Sequence, residues 1–248
     1  MPGDVRIGVD VGSRTTKIVI LEGGEMAEVH VFDTAFDPLS PVSEKLASRP
    51  KDRLVATGYG RRLLAERLGA AVVTEIKACA AGIHHFYPDC RLAVDIGGQD
   101  AKVIRITAGG GFEDFELNER CAAGTGRFLE VMARALEYDL DEFCRAAKSA
   151  DRAVRVNSMC TVFAESEVVA MIAGGESRNR IALGIYQSIV ERVHPMIARL
   201  DTPGDLVFCG GVARSKCLAE LLRKKMKRDI HVPPNPQILS ALGAALLA

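Results

Sequence analysis

Residues 8–19 read GVDVGSRTTKIV and residues 93–104 read AVDIGGQDAKVI, so the chain carries one pattern twice. Asp10 aligns with Asp95, Gly12 with Gly97 and Lys17 with Lys102. Each copy is a β-rich run, a polar Asp-x-Gly turn and a second β-rich run, followed by a glycine-containing turn and a third run. Two copies in 248 residues predict a duplicated α/β fold and are too few for a solenoid.

The remaining elements follow from hydrophobic spacing. In the first half, strands are predicted at 5–10, 17–21, 25–33 and 54–57, and helices at 61–68 and 75–86. After a third strand of the second copy at 112–117, the chain turns helical. The predicted elements there are helices at 126–138, 165–173, 179–200 (bent by Pro195), 214–227 and 238–247, with a buried strand at 206–209.

Composition excludes several classes of function. Thirty-two basic and 32 acidic residues balance, which gives no argument for nucleic acid or an anionic membrane as a partner. No apolar run reaches the ~18 residues of a membrane span, and the first ten residues show no apolar signal core, so we expect a cytoplasmic protein. Seven cysteines without any CxxC pair argue against a disulfide framework, a zinc ribbon and a self-contained ferredoxin motif.

The Asp-x-Gly turns have a chemical use. Glycine lets the backbone approach a phosphate and present N–H groups to it, while an ionised aspartate can hold a hydrated Mg²⁺. Two such turns facing each other, together with a strand, Gly210-Gly211 and a helix, form a specific set for a polyphosphate and its metal. The alternative is that these glycines only make tight hairpins.

On these motifs the chain resembles the actin-like ATPase superfamily, whose duplicated, ribonuclease H-like fold has two subdomains around a nucleotide cleft. The resemblance implies a first subdomain at 1–90, with the terminal helix 237–248 packed back on it, and a second at 91–236. It implies that Asp10 and Asp95 hold Mg²⁺ or orient the attacking water, and that Gln99 orients water. The implied ATP/ADP contacts are Gly12, Ser13, Arg14, Thr15, Lys17, Gly97, Gly98, Gly210, Gly211 and Val212. Lys17 and Lys102 are equally well explained as salt-bridge residues on the strand faces.

Two cysteines lie directly before predicted helices. Cys121 begins the run CAAGTGRF and Cys160 lies within NSMCTVFAESEV. A helix N-terminus lowers the pKa of a nearby thiol. One chain supplies at most two such ligands, whereas a [4Fe–4S] cluster normally takes four, so a two-fold dimer would be needed to complete one. From spacing alone, two buried or capping cysteines explain the pattern better.

These two runs are similar to those of the 2-hydroxyacyl-CoA dehydratase activators and the ATP-binding subunits of benzoyl-CoA reductase, and the resemblance extends along the whole chain. It implies a homodimer bridged by one [4Fe–4S] cluster on Cys121 and Cys160 of each subunit. It also implies an ATP hydrolase coupled to electron transfer. A ferredoxin or flavodoxin would be the electron donor, and the acceptor would be a dehydratase, a benzoyl-CoA reductase core or a double-cubane cluster protein. The other five cysteines are interpreted as core or incidental thiols.

Two other classes of function fit the phosphate motifs. A small-molecule kinase, for example one acting on a sugar, would use them without a cluster, although the chain is short for a second substrate pocket. A regulatory or scaffolding ATPase, as among filament proteins, would assemble with nucleotide and need no iron.

Overall fold

A computed structural model of the chain describes residues 4–119, 122–157 and 160–248. These described residues form two five-stranded sheets. The strands of the first are β1 (Val5–Val11), β2 (Thr15–Glu22), β3 (Glu25–Asp33), β4 (Leu54–Gly58) and β5 (Ala71–Val72), in the order β3-β2-β1-β4-β5. The strands of the second are β6 (Leu92–Ile96), β7 (Ala101–Ile106), β8 (Phe112–Asn118), β9 (Leu206–Cys209) and β10 (Ile230–His231), in the order β10-β9-β6-β7-β8.

The two sheets repeat one topology. In the first, β1, β2 and β3 form an antiparallel meander, and β4 and β5 add in parallel on the other side of β1. In the second, β6, β7 and β8 are adjacent in the same way, and β9 and the parallel β10 add on the other side of β6. The predicted duplicated α/β fold is therefore confirmed, and the duplication includes β4 and β9, which lie outside the two quoted repeats.

Nine α-helices connect and cover these strands within the described residues. They are α1 (Leu39–Lys45), α2 (Arg61–Leu68), α3 (Glu75–Phe86), α4 (Gly126–Ala135), α5 (Leu140–Ser149), α6 (Thr161–Ala173), α7 (Arg178–Leu200), α8 (Lys216–Met226) and α9 (Leu239–Leu246). No helix in the described part of the chain has the length and apolar character needed to cross a membrane.

Several predicted boundaries are wrong. The helix predicted at 214–227 begins only at Lys216 and ends at Met226, because Gly211–Arg214 forms a 3₁₀ turn and Ser215, in an extended conformation, separates that turn from α8. Helix α4 ends before Tyr138 because Glu137 adopts a left-handed backbone conformation, with φ of 57°. Helices α1 and α5 and the two-residue strands β5 and β10 were not predicted. The bend expected at Pro195 of α7 stays a prediction.

Contacts divide the chain into two compact units. Unit 1 comprises the described residues up to Ala93, with Ile104–Phe115 and Pro233–Ala248. Its core lies between the sheet and α1 and α2, and includes Ile7, Val9, Ile18, Ile20, Val42, Leu46, Leu54 and Leu64. Unit 2 comprises Val94–Val103 and Glu116–Val232, with helices α4 to α8. The subdomain boundaries expected from the sequence, 1–90 with 237–248 and 91–236, stay a prediction.

Helix α9 returns the C-terminal end of the chain to unit 1. It packs on α3 and on β1, β2 and β4. Its small residues allow this close approach, since an added Cβ at Gly243 would overlap the carbonyl oxygen of Ala78 on α3. An added Cβ at Gly82 on α3 would likewise overlap the carbonyl oxygen of Leu239. The two helix backbones are therefore in direct contact at these glycines.

Candidate functional site

The first Asp-x-Gly turn joins β1 to β2. Asp10, near the end of β1, is 4% exposed and lies opposite Lys17 in the antiparallel register. The Lys17 ammonium donates to Asp10 Oδ2 over 3.0 Å. The backbone N–H of Gly12 donates to the Thr15 carbonyl over 3.2 Å, which closes the turn. The predicted phosphate contacts Ser13, Arg14 and Thr15 are at least partly exposed on this turn, whereas Asp10 is anchored beneath it.

The second turn, between β6 and β7, has the same construction. Asp95 is 6% exposed, and the Gly97 N–H donates to the Asp100 carbonyl over 2.9 Å. The buried Lys102 ammonium lies 2.8 Å from Asp100 Oδ2 and 3.7 Å from Asp95 Oδ2. Gly98 is partly exposed and Gln99 is exposed on this turn. Both lysines therefore form ion pairs with carboxylates of their own turn, and their contact with nucleotide stays a prediction.

Each aspartate is also bordered by a glycine at the end of the neighbouring strand. Gly58, with φ of +81°, and Gly210, with φ of +85°, both adopt a backbone conformation that residues other than glycine rarely adopt. An added Cβ at Gly58 would overlap Asp10 Oδ1, and one at Gly210 would overlap Asp95 Oδ1. The predicted adenosine motif at Gly210, Gly211 and Val212 thus has a counterpart in unit 1 that the sequence analysis missed.

Two buried oxygens of unit 1 lack partners. Among the described residues, Asp10 Oδ1 and Thr57 Oγ1 are buried atoms that form no hydrogen bond. Asp10 and Thr57 are register partners on the parallel strands β1 and β4, so their side chains leave the same face of the sheet side by side. A buried polar atom without a partner costs about 1–3 kcal/mol, so these two oxygens are available to bind a ligand or a water. A carboxylate and a hydroxyl oxygen suit hydrated Mg²⁺.

In the sequence, Cys121 precedes α4 and Cys160 precedes α6, and both helices belong to unit 2. Cys160 is exposed and is the N-cap residue of α6, and no side chain among the described residues caps this helix. The Cys160 sulfur is therefore accessible to a metal or to a second protein. Cys121 lies outside the described residues. The segment that follows it forms a tight turn, in which the Thr125 hydroxyl and N–H donate to the Ala122 carbonyl over 2.6 and 3.0 Å.

The start of α4 is hydrogen-bonded to the second Asp-x-Gly turn. The Gly126 N–H donates to the Gly97 carbonyl over 2.9 Å, and the Arg127 N–H donates to the Gly98 carbonyl over 2.8 Å. These donors belong to the first turn of the helix, whose N–H groups have no partner within the helix itself. Neither the Asp-x-Gly pattern nor the CAAGTGRF run predicts this link. It joins a predicted phosphate contact directly to the segment that follows Cys121.

The remaining cysteines are less accessible than Cys160. Cys79, Cys90, Cys209 and Cys217 are buried and Cys144 is half-buried. Burial, with a further contribution from Cys144, raises the pKa of the Cys217 thiol to about 12. A thiol with so high a pKa stays protonated at neutral pH and is a poor metal ligand and nucleophile.

Comparison with known proteins gives a consistent result over the whole chain. The model of the BadF/BadG/BcrA/BcrD ATPase family matches residues 7–248. The activator of lactoyl-CoA dehydratase from Anaerotignum propionicum is 42% identical, and the match covers 98% of this chain and 96% of that protein.

Solved structures agree with the sequence comparison. Component A of the (R)-2-hydroxyglutaryl-CoA dehydratase from Acidaminococcus fermentans is 35% identical, with a TM-score of 0.90 over 98% of this chain and 97% of that one. The activator of the 2-hydroxyisocaproyl-CoA dehydratase from Clostridium difficile, solved with bound ADPNP, is 36% identical, with a TM-score of 0.89 over 98% of this chain and 94% of that one.

Proposed function

This chain belongs to the BadF/BadG/BcrA/BcrD ATPase family, and we propose that it is an ATP-dependent electron-transfer protein that activates a partner iron–sulfur enzyme. The observation that carries the proposal is the pair of hydrogen bonds from Gly126 and Arg127 to the second Asp-x-Gly turn. Through them, a change at Gly97 and Gly98 on nucleotide binding or hydrolysis reaches the segment next to Cys121 without crossing any flexible linker.

The nucleotide half of the proposal rests on the two Asp-x-Gly turns. Asp10 and Asp95 hold Mg²⁺ or orient the attacking water, and Gln99 assists by donating and accepting hydrogen bonds through its amide. Gly12 to Thr15, Lys17, Gly97 and Gly98 contact the phosphates, and Gly210, Gly211 and Val212 lie against the adenosine. The relative solved with ADPNP supports ATP as the ligand. Lys17 offsets the charge of Asp10, with which it pairs at 3.0 Å, and Lys102 offsets the charges of Asp100 at 2.8 Å and Asp95 at 3.7 Å.

The electron-transfer half rests on Cys121 and Cys160. Cys160 is an exposed thiol at a helix N-terminus, which suits a ligand shared with a second copy of the chain. Two such thiols from each of two copies supply the four ligands of one [4Fe–4S] cluster, so the functional form is a homodimer. When bound, the cluster supplies a one-electron carrier and Mg²⁺ supplies charge neutralisation at the phosphates. ATP biases the dimer because its two conformations bind ATP with different affinity.

The proposed partner enzyme belongs to the class of enzymes with which the relatives are named. The reported relatives are named as an activator of lactoyl-CoA dehydratase, a component of 2-hydroxyglutaryl-CoA dehydratase and an activator of 2-hydroxyisocaproyl-CoA dehydratase. A dehydratase, or a related reductase such as a benzoyl-CoA reductase core or a double-cubane cluster protein, is therefore the proposed electron acceptor. A ferredoxin or flavodoxin is the proposed donor. A sugar kinase is not favoured, because these relatives are activators and together match nearly the whole chain.

Iron content after anaerobic reconstitution tests the proposal. We expect a brown protein with one [4Fe–4S] cluster per two chains, and Cys121→Ser and Cys160→Ser variants that bind little iron and run as weaker dimers. Cys144→Ser is the matched control, because this half-buried thiol is not a proposed ligand. A protein that remains colourless under strict anaerobiosis, or that keeps its iron in both ligand variants, contradicts the proposal. Phosphoryl transfer to a sugar by the colourless protein would favour the kinase.

A further inference from the structure

The two units carry different residues at one equivalent buried position beside Asp10 and Asp95. Gly58 and Gly210 take equivalent places, since each has a positive φ and each borders Oδ1 of the aspartate of its own unit. The residue before each glycine is therefore equivalent too, and it is Thr57 at the end of β4 and Cys209 at the end of β9. Both are buried, with Thr57 at 0% and Cys209 at 1% exposure.

In unit 1 this position places a hydroxyl oxygen beside the Asp10 carboxylate, one of whose two oxygens has no described hydrogen-bond partner. Thr57 Oγ1 and Asp10 Oδ1 are both buried without a hydrogen bond in the described part of the chain. The other carboxylate oxygen, Asp10 Oδ2, accepts from Lys17 at 3.0 Å. Because Gly58 borders Oδ1, this oxygen faces the β4 end that carries Thr57. The two unpartnered oxygens therefore belong to one location.

The chemistry of the pair matches a hydrated divalent cation. Mg²⁺ takes oxygen ligands and keeps several of its waters, so it needs groups that accept from or donate to water as well as a carboxylate. A threonine hydroxyl both donates and accepts, whereas the thiol of Cys209 in the other half does both weakly and is a soft ligand. The oxygen pair thus distinguishes the Asp10 side from the Asp95 side as the place for the metal.

We propose that Thr57 is a binding residue of the magnesium–nucleotide site, where its hydroxyl and Asp10 Oδ1 together hold the hydrated cation. This deepens the proposed function and rests on its nucleotide half alone. Thr57 supplies a hydrogen bond to a metal-bound water, and Asp10 supplies the negative charge. Lys17 restrains the carboxylate from the other side.

Nucleotide affinity with and without the metal tests the inference in cluster-free protein. The measurement is the Kd of ADP by titration calorimetry, in Mg²⁺ and in EDTA, for wild type, Thr57→Val and Thr57→Ser. We expect Mg²⁺ to tighten ADP binding in wild type and Thr57→Ser, and this gain to fall by about tenfold in Thr57→Val, the effect of one lost hydrogen bond. The Kd in EDTA should be the same for all three.

Thr16→Val is the matched control. Thr16 is also fully buried in the same sheet, but its hydroxyl is already hydrogen-bonded to Thr34 Oγ1 over 2.9 Å. Its loss should lower stability and leave the gain from Mg²⁺ unchanged. An equal gain in Thr57→Val and wild type overturns the inference and leaves a buried water as the partner of the two oxygens. If Thr57→Val does not fold, the same measurement is made on Thr57→Ala, and a wild-type gain in ADP affinity from Mg²⁺ in that variant also overturns the inference. A wild-type protein that binds no ADP overturns the nucleotide half of the proposed function as well.

Discussion

At the scale of single residues, the cysteines differ by environment more than by their number. Cys160 is exposed at the N-terminus of α6, whereas Cys217 lies in the contact between α5 and α8 with its pKa raised to about 12. Only a deprotonated, accessible thiol reacts readily or ligates a metal. Environment thus separates a proposed ligand from a packing residue, although both are cysteines near a helix start.

This difference predicts a pattern of alkylation. In the cluster-free protein at neutral pH, iodoacetamide should modify Cys160 at least about tenfold faster than Cys217, as followed by peptide mass spectrometry. Denaturant should remove the difference, because the pKa of Cys217 returns to its ordinary value once the thiol is solvated. Equal rates for the two thiols in the native protein would contradict the burial of Cys217 and the accessibility of Cys160.

At the scale of elements, the contact between α4 and the second Asp-x-Gly turn connects the two halves of the proposed function. The bonds from Gly126 and Arg127 use backbone N–H groups, so most side-chain substitutions leave them intact. Proline is the exception, because it has no N–H and is tolerated in the first turn of a helix. A single substitution can therefore remove one bond of the link and retain the helix.

Arg127→Pro should weaken the response of the cysteine segment to nucleotide. In wild type we expect Mg-nucleotide to slow hydrogen exchange in the peptide spanning residues 122–130, because ligand bound at Gly97 and Gly98 stabilises the bonds to α4. Arg127→Pro should lose most of this protection. Arg127→Ala, which keeps the N–H and removes an exposed side chain, should retain it. Equal protection in the two variants would show that this link does not carry the signal.

The close contact between α3 and α9 makes a separate prediction about stability. Gly243→Ala places a methyl group against the Ala78 carbonyl, so the helices must separate. We expect a loss of about 1–3 kcal/mol in the free energy of unfolding, measured by urea denaturation. Gly109→Ala, where an added Cβ meets nothing within 4 Å, should change it by less than about 0.5 kcal/mol. A Gly243→Ala protein as stable as wild type would contradict the packing of α9 on α3.

The sequence predicts the elements whose pattern is local and misses those that depend on contacts. The two Asp-x-Gly hairpins are visible because alternating apolar residues border a glycine turn. Helix α5 was not predicted, although Asp139 and Glu142 form a capping box, which is a sequence pattern typical of a helix start. Thr57 was missed for a different reason, since its meaning depends on the register that sets it beside Asp10. A comparison of the strands that end in Gly58 and Gly210 could have identified it.

At the scale of the whole molecule, one topology serves two different ends. Both sheets have the same strand order and the same aspartate–glycine contact. Unit 1 has, among the described residues, a buried threonine hydroxyl without a hydrogen bond beside its aspartate, whereas unit 2 contains the helix that follows the Cys121 segment. A duplicated fold has thus diverged into a proposed metal-holding half and a proposed signal-transmitting half. The proposed cluster site requires a second copy of the chain, so the proposed functional unit is a dimer.

The proposal that nucleotide controls electron transfer is tested most directly by an anaerobic redox titration of the reconstituted protein. The visible spectrum would be followed in the presence of ADP and then of a non-hydrolysable ATP analogue. If nucleotide controls the cluster as proposed, it changes the exposure of the cluster and its hydrogen bonds, so we predict a lower midpoint potential with the ATP analogue than with ADP. Identical midpoints with the two nucleotides, or the absence of any iron–sulfur spectrum, would contradict it.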